Sequence, residues 1–402
     1  MQWISGSRSR SLVHAGWALV LVLSLAGFAP AGETRARCGQ GFLETIDGYP
    51  VLHLKGNPYE MGYQHGRLLQ EHVRQNLHYL LEIKGQQKIK LFGQEVMTAG
   101  EAVRTIAAAQ RQFLPREFQE EQDGLADGAG VPRADIQLAN GIPELFHCSG
   151  FAVLNQATRD GTLYHGRVLD YAVDWHLQDH AVLIVAEPDG GIPFVNVSYA
   201  GFIGSVTGMN AAGISIGEMG GKGQGHWQGV PMAFLVREVL QRARTLDEAI
   251  AIFRDQPRTC QYFYVIADGK NNRAVGMEAS WNNFTLVKPG EAIQQLPHAV
   301  PDAVLLSAGS RYEELVRRVQ TDWGKLDEVS ARKLMDCGVA MKSNLHDVLF
   351  APASTKFWVA NASSDRQPAA TQPYHSFQFT ELLKHKADPR VPDQPCPQRP
   401  VH

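Results

Sequence analysis

Cys148-Ser149-Gly150-Phe151-Ala152-Val153-Leu154-Asn155 is followed, across Thr158-Arg159-Asp160-Gly161, by Thr162-Leu163-Tyr164-His165-Gly166-Arg167-Val168-Leu169-Asp170. Apolar residues run through both stretches and the Asp-Gly between them favours a tight reversal, so 150–157 and 162–170 read as a β-hairpin. With the turn near Asp160, the returning strand carries Arg167 and Asp170 back toward Cys148. A thiol, a guanidinium and a carboxylate then share one end of the hairpin. If the bond His147-Cys148 is cut, the new α-amine lies beside its own thiol, and a group with a reference pKa near 8 serves as general base at neutral pH without a separate histidine. In that arrangement Arg167 stabilises the thiolate, while Asp170 fixes the amine and holds polar groups of a substrate. The plainer reading is a buried thiol beside an ordinary Arg167–Asp170 ion pair, and spacing alone leaves both open.

Around the hairpin the texture differs on its two sides. Upstream, 48–54 reads as a strand, and Pro58 introduces a helix with Leu69, Val73, Leu77, Leu80 and Leu81 on one face. A second helix is expected over 101–122, broken by Gly128 to Pro132 before a short helical piece leading to Pro143. Residues 32–147 therefore form a mostly helical segment. Downstream, strands are expected at 181–186, 193–199, 202–207 and 213–218, separated by Gly, Asp or Asn turns. Pro231 opens a helix with Met232, Leu235, Val236, Val239 and Leu240 on one face, and Thr245-Leu246-Asp247-Glu248 is a capping box for the next. Strands resume at 261–267, 274–279 and 283–287. Strands, helices and strands in that order predict an α+β fold: two largely antiparallel sheets with helices outside, over 148–386. The stretch 387–402, with Pro392, Pro395, Pro397 and Pro400, reads as a loose tail.

The whole chain narrows the class of partner. Its 402 residues, 44% of them hydrophobic, suffice for a large core. Lys plus Arg (38) nearly balances Asp plus Glu (41), for a formal charge of −3, so no global field favours nucleic acid or anionic lipid, and a small molecule is the expected partner. Arg8 and Arg10 precede an apolar run from Ala15 to Phe28, about 14 residues against the roughly 20 that cross a bilayer, and Ala29-Pro30-Ala31 follows as a cleavage site. Residues 1–31 thus read as a secretory signal peptide, which makes the mature chain secreted or periplasmic with no membrane span. Five cysteines in an oxidising compartment leave at least one unpaired. With Cys148 free, Cys38 is expected to pair with Cys396, because the ends of a chain often meet, and Cys260 and Cys337 stay undecided.

Four stretches taken in order carry a resemblance: Asn57-Pro58-Tyr59-Glu60-Met61-Gly62-Tyr63-Gln64-His65-Gly66, the Cys148 strand, Gly166-Arg167-Val168-Leu169-Asp170, and Gly208-Met209-Asn210-Ala211-Ala212-Gly213-Ile214. Together they resemble the isopenicillin-N acyltransferase family of N-terminal nucleophile hydrolases, more distantly similar to choloylglycine hydrolases and acid ceramidase, over roughly residues 48 to 380. The resemblance implies a proenzyme cut autocatalytically before Cys148, an αββα sandwich, and cleavage or transfer of an acyl group from a linear amide or ester through a thioester, with no metal or cofactor. It implies Cys148 as nucleophile, its amine as base, Arg167 and Asp170 as their polar neighbours, and two processed fragments that stay associated. One departure stands out: where relatives commonly carry a Thr-Asn-His segment supplying an oxyanion-stabilising asparagine, this chain reads Leu306-Ser307-Ala308-Gly309-Ser310-Arg311. Losing such a donor costs about a hundredfold to a thousandfold in rate. Asn210 and Asn344 are the substitutes considered, each with a turn or cap role as the plainer reading.

Other chemistry is weaker. His65 and His53 lack the His-x-x-x-His or Cys-x-x-Cys spacing of a metal site. The glycines from Gly217 to Gly225 lack a Gly-Lys-Ser/Thr ending and read as a rim beside the site. Trp227, Trp281 and Trp358 are expected in an acyl pocket or in the core. Two rival functions remain: a secreted binding protein on this fold without turnover, and a papain-like hydrolase with a separate histidine base.

Overall fold

A computed structural model describes residues 32–91, 94–141, 148–221 and 225–396. The expected signal peptide, His147 at the expected cleavage point and residues 397–402 lie outside the described residues. The amino-terminal segment forms β1 (Glu33–Cys38), β2 (Gly41–Ile46), β3 (Tyr49–Gly56), α1 (Pro58–Leu68), α2 (Gln70–Leu77), β4 (Lys88–Leu91), β5 (Gln94–Thr98), α3 (Ala99–Gln110), α4 (Arg116–Ala129) and α5 (Arg133–Ala139). From Cys148 come β6 (Ser149–Asn155), β7 (Gly161–Asp170), β8 (Ala181–Pro188), β9 (Phe194–Tyr199), β10 (Thr207–Asn210), β11 (Ile214–Gly220), α6 (Met232–Arg242) and α7 (Leu246–Asp255). There follow β12 (Tyr262–Asp268), β13 (Arg273–Ala279), β14 (Phe284–Val287), β15 (Ala303–Leu306), α8 (Ser310–Thr321), α9 (Glu328–Lys333), β16 (Asn344–Ala351), β17 (Lys356–Asn361), β18 (His375–Gln378), α10 (Phe379–Leu382) and β19 (Asp393–Gln394).

Apart from the two-stranded β4-β5 ribbon, the strands make two stacked sheets. The larger runs β14-β13-β12-β11-β10-β9-β8-β3-β2-β1-β19, and the smaller β15-β6-β7-β16-β17-β18. All neighbours are antiparallel except β3 with β8 and β1 with β19. The sheets touch through β6, β7 and β15 on one side and β11, β12 and β13 on the other, α6 and α7 cover the large sheet, and α8 and α9 cover the small one. This is the α+β sandwich expected from the order of elements. Burial on both faces explains why β6 and β7 read as almost unbroken apolar runs rather than alternating ones: Gly150 to Leu154 and Leu163 to Asp170 are all buried.

The amino-terminal segment is tied in more closely than its helical texture suggests. It supplies β1, β2 and β3 to the large sheet, of which only β3 was expected. Its α1 and α4 pack backbone against backbone: a Cβ on Gly62 would sit 1.9 Å from the Glu121 carbonyl oxygen, and one on Gly124 2.0 Å from that of Tyr59. Those glycines, one of them inside the first quoted motif, are what permits the contact. Asn57 of that motif caps α1, its side chain accepting from Glu60 N (3.0 Å) while the Glu60 carboxylate accepts from Asn57 N (3.1 Å).

Three local expectations are corrected. The helix expected over 101–122 is two, α3 and α4, because Pro115 stands at the junction and has no N–H to continue α3. No strand forms over 202–206; Ile203 N donates to the Asn140 side chain (Oδ1, 2.9 Å), while Phe202 N turns back to Tyr199 O (3.1 Å) and Ser205 N goes to Ala233 O at the start of α6 (2.9 Å). The tail read as loose carries β19, which extends β1 in parallel with Cys38 opposite Gln394. Cys38 and Cys396 thereby come into contact as free thiols that share a hydrogen bond. Cys260 is buried against the Tyr262 hydroxyl (3.3 Å), and Cys337 is exposed.

Candidate active site around Cys148

The hairpin register puts Gly150 opposite Arg167 and Ser149 opposite Val168, so Cys148, at the mouth of β6, lies beside the end of β7. Arg167 and Asp170 have opposite parity on that strand and leave it on opposite faces. Arg167 turns inward between the sheets, into the room left by Gly217 of β11, where a Cβ would come within 2.7 Å of Arg167 Cδ. It is fully buried. Its Nη2 meets Glu218 Oε2 at 3.5 Å, its Nε meets Val206 O at 3.5 Å, and its Nη1 donates to Val168 O. Asp170 instead faces α8: Arg311 Nη1 donates to its Oδ2 (2.6 Å) and Met341 N to its Oδ1 (2.9 Å). Arg167 and Asp170 thus form no ion pair with each other, and each has a separate partner of opposite charge.

Cys148 is 4% exposed. It borders a cleft of about 500 Å³ whose walls include Met219, Phe263, Leu296 and Leu306 as apolar side chains and Ser307 and Arg311 as polar ones. Burial pushes its thiol up to about 11; the Arg167 charge pulls the other way, and Glu218 and Asp170 add to the rise. Asp170 is held up at about 6, burial outweighing the Met341 amide and the charges of Arg311 and Arg167. Within the uncut chain, therefore, the sulfur is a thiol at neutral pH, and a nearby base is required before it attacks anything. Among the described residues no histidine lines the cleft.

Three residues here went unread in the sequence as site groups. Glu218, the partner of Arg167, sits in the strand that follows the Gly208–Ile214 motif. Ser307 and Arg311 belong to the segment noted only for lacking an asparagine: Arg311 Nη1 also reaches Ser149 Oγ (3.2 Å), and Ser149 Oγ and Ser307 Oγ are 2.7 Å apart. Both asparagines considered as oxyanion donors are committed elsewhere. Asn210 donates to Leu240 O (3.1 Å) and Ala243 O (2.7 Å) and accepts from Ala212 N and Ile214 N, which holds the β10–β11 turn against the end of α6. Asn344 donates to Asp347 Oδ1 (2.9 Å) and accepts from Ala370 N (2.8 Å), pinning the start of β16. Of the rim glycines, Gly220 and Gly221 border the cleft, and residues 222–224 lie outside the described residues. The tryptophans do not border it: Trp358 is core, Trp227 packs on the core, and Trp281 is 51% exposed against His226.

Residues 157–304 match the family described as acyl-coenzyme A:6-aminopenicillanic acid acyl-transferase, a stretch that includes Arg167, Asp170 and Glu218 and begins after Cys148. The chain is 32% identical over 254 residues to protein dcd1B of Dictyostelium discoideum (57% of this chain, 50% of that one). It is 28% identical over 306 residues to an uncharacterized protein of Archaeoglobus fulgidus (67% and 50%), and 24% identical over 191 residues to the N-acylethanolamine-hydrolyzing acid amidase of Cavia porcellus (44% and 52%). The chain spans about half the length of the curated relatives it matches. The matched stretch and these relatives agree with the resemblance to the isopenicillin-N acyltransferase family of N-terminal nucleophile hydrolases that the four motifs carry.

Proposed function

We propose that the protein is an exported amide hydrolase or acyltransferase whose nucleophile is Cys148, matured by self-cleavage before that residue and acting on a linear, non-peptide amide. The observation that carries the reading is the position of Cys148: a buried thiol at a cleft wall, in the field of Arg167, with no described histidine to act as base. That arrangement also weighs against a papain-like mechanism. One relative is an N-acylethanolamine-hydrolyzing acid amidase, which supports a linear acyl amide as substrate. The basic and then apolar start of the chain supports export.

In maturation, the Cys148 thiol attacks the carbonyl carbon of His147 and the His147–Cys148 C–N bond breaks. The acyl group passes to sulfur, the α-amine is freed, and water hydrolyses the thioester. In turnover, that amine takes the thiol proton, the thiolate adds to the substrate carbonyl, and the ammonium returns the proton to the departing amine. Water, or an acceptor amine, then attacks the thioester with the same amine as base. The oxyanion formed at each addition needs donors, and Ser307 and Arg311 are the polar side chains present where the expected asparagine is missing.

Mass analysis under denaturing, reducing conditions tests the reading. Reduction matters because Cys38 and Cys396 touch across the two expected fragments. The active protein should give fragments 32–147 and 148–402, the larger beginning with Cys148, while Cys148→Ala stays uncut; an activated ester should acylate the wild type at Cys148. An active, exported and uncut chain would exclude the α-amine as base. A cut chain that no activated ester acylates would favour a binding protein without turnover.

A further inference from the structure

Away from Cys148, three side chains with metal-binding atoms converge on one point. Glu44 of β2 and His53 of β3 lie on the same face of adjacent strands, where the register pairs Phe42 with His53 and Glu44 with Val51. His385 arrives from beyond α10. His53 Nε2 is 2.8 Å from Glu44 Oε1, and His385 Nδ1 is 2.7 Å from the same oxygen. Two hydrogen bonds to a carboxylate would ordinarily be spread over both oxygens; here both rings aim at one, and the three donor atoms lie within 4.8 Å of one another.

The surroundings hold this set in place. The Glu44 and His53 side chains are 2% and 8% exposed, while that of His385 is 19% exposed and leaves a path from solvent. Phe42 stacks on the His53 ring, with centroids 4.1 Å apart and planes 6° from parallel, which fixes its tilt. The Gly32 backbone lies over the second carboxylate oxygen so closely that any Cβ there would be 1.9 Å from Glu44 Oε2. A position defined on three sides by strand, ring and backbone, and open on the fourth, is the form of a site with three protein ligands and one water.

We infer that Glu44, His53 and His385 form a binding site for a divalent transition-metal ion, with zinc the best match to two imidazoles and one carboxylate. Zinc bonds of about 2.0–2.2 Å place tetrahedral ligand atoms about 3.3 Å apart, so the oxygen and nitrogens must separate by about half an ångström, within the reach of side-chain torsions. Binding needs both rings neutral with the nitrogen that faces Glu44 Oε1 bare, so it weakens as pH falls. The ion would fasten β2 and β3, in the amino-terminal segment, to the segment after α10, and so bridge the two sides of the junction at Cys148. This holds whether or not the chain is cut there, and it is independent of the proposed catalysis.

The test is a cobalt(II) titration of the purified full chain after chelator treatment, followed by its visible absorption. The expected result is one equivalent of tightly bound cobalt with the d–d bands of a four- or five-coordinate nitrogen and oxygen site, displaced by zinc, and a melting temperature that falls on adding chelator. Glu44→Gln should weaken binding by more than the roughly 10–100-fold that loss of a supporting hydrogen bond costs. Because Glu44 is buried and its variant can misfold, His385→Gln, at the solvent side, should give the same loss in a folded protein. A thiolate-to-cobalt charge-transfer band would assign the ion to Cys38 and Cys396 and overturn the proposal. So would the absence of stoichiometric binding, or binding that His385→Gln leaves unchanged; the three side chains would then be only a hydrogen-bonded clasp.

Discussion

Arg167 and Arg237 are both buried in this protein, both face a buried glutamate, and both donate to backbone carbonyls, yet they are built differently. Arg237 of α6 grips Glu121 of α4 with both ends of its fork, at 3.2 and 3.0 Å, and adds a bond to Ile203 O at 2.8 Å. Its guanidinium also lies over the Phe194 ring, 4.5 Å from the centroid. Arg167 touches Glu218 with a single nitrogen at 3.5 Å. The closed pair spends both ends of its fork on one carboxylate and locks the amino-terminal helices to the rest of the molecule. The open pair leaves part of the guanidinium field to act on Cys148. Burying an ion pair is costly in either case, and only good geometry recovers the cost, so a loosely made buried pair beside a cleft is the one of the two that suits the proposed chemistry.

The comparison can be sharpened by removing what the open pair serves. Cys148→Ala should lower turnover by about 10⁴-fold or more while leaving the melting temperature nearly unchanged, read by single-turnover acyl release and calorimetry. It can be broken from the other side at the clamp. Arg237→Met strands Glu121 in the interior and should cost about 3–5 kcal/mol of stability, read from denaturant midpoints, with turnover per folded molecule retained. An equal loss of turnover per folded molecule would mean that the clamp also positions the site.

A smaller effect is expected from Arg167→Lys, which keeps the charge and loses the fork: about a hundredfold in turnover and about 1–3 kcal/mol in stability, since Val206 O and Val168 O lose donors. Wild-type turnover would return Arg167 to a purely structural role. The smallest effect concerns pH. Asp170, held up at about 6 mainly by burial, is a carboxylate only above that pH, so turnover should rise with pH through about 6. Arg311 is one of the groups holding that value down, so Arg311→Gln should move the midpoint upward and cost more activity at pH 6 than at pH 8. A profile unchanged by the substitution would separate Asp170 ionisation from catalysis.

The hairpin, the helix starts at Pro58, Pro231 and Thr245, and the two-sheet plan were legible because each rests on neighbours a few residues apart. Thr245 does cap α7, accepting from Glu248 N at 3.2 Å, although Glu248 turns to Arg244 N rather than completing the box. The site was legible to the extent that it lies on that hairpin, which is Cys148, Arg167 and Asp170. Arg311 was not: its partner Asp170 is far away in sequence, and the segment that carries it was read only for the asparagine it lacks. The same limit hid the Glu44, His53 and His385 cluster. His53 was set aside for want of a second ligand at short spacing, and that ligand arrives from the far end of the chain.

By itself, then, the sequence determined the hairpin with a thiol at its mouth, β3, and the helix starts at Pro58, Pro231 and Thr245, because dihedral preference, periodicity and capping act over a handful of residues. Only the tertiary structure decided which charge faces which. It sent Arg167 to Glu218 and Asp170 to Arg311, committed Asn210 to the β10–β11 turn and Asn344 to the start of β16, and drew the carboxy-terminal strand onto β1 so that Cys396 meets Cys38. Those choices depend on which surfaces are buried together, and the free energy of burying a charge or a thiol is set by neighbours that the chain brings close only when both sheets have formed.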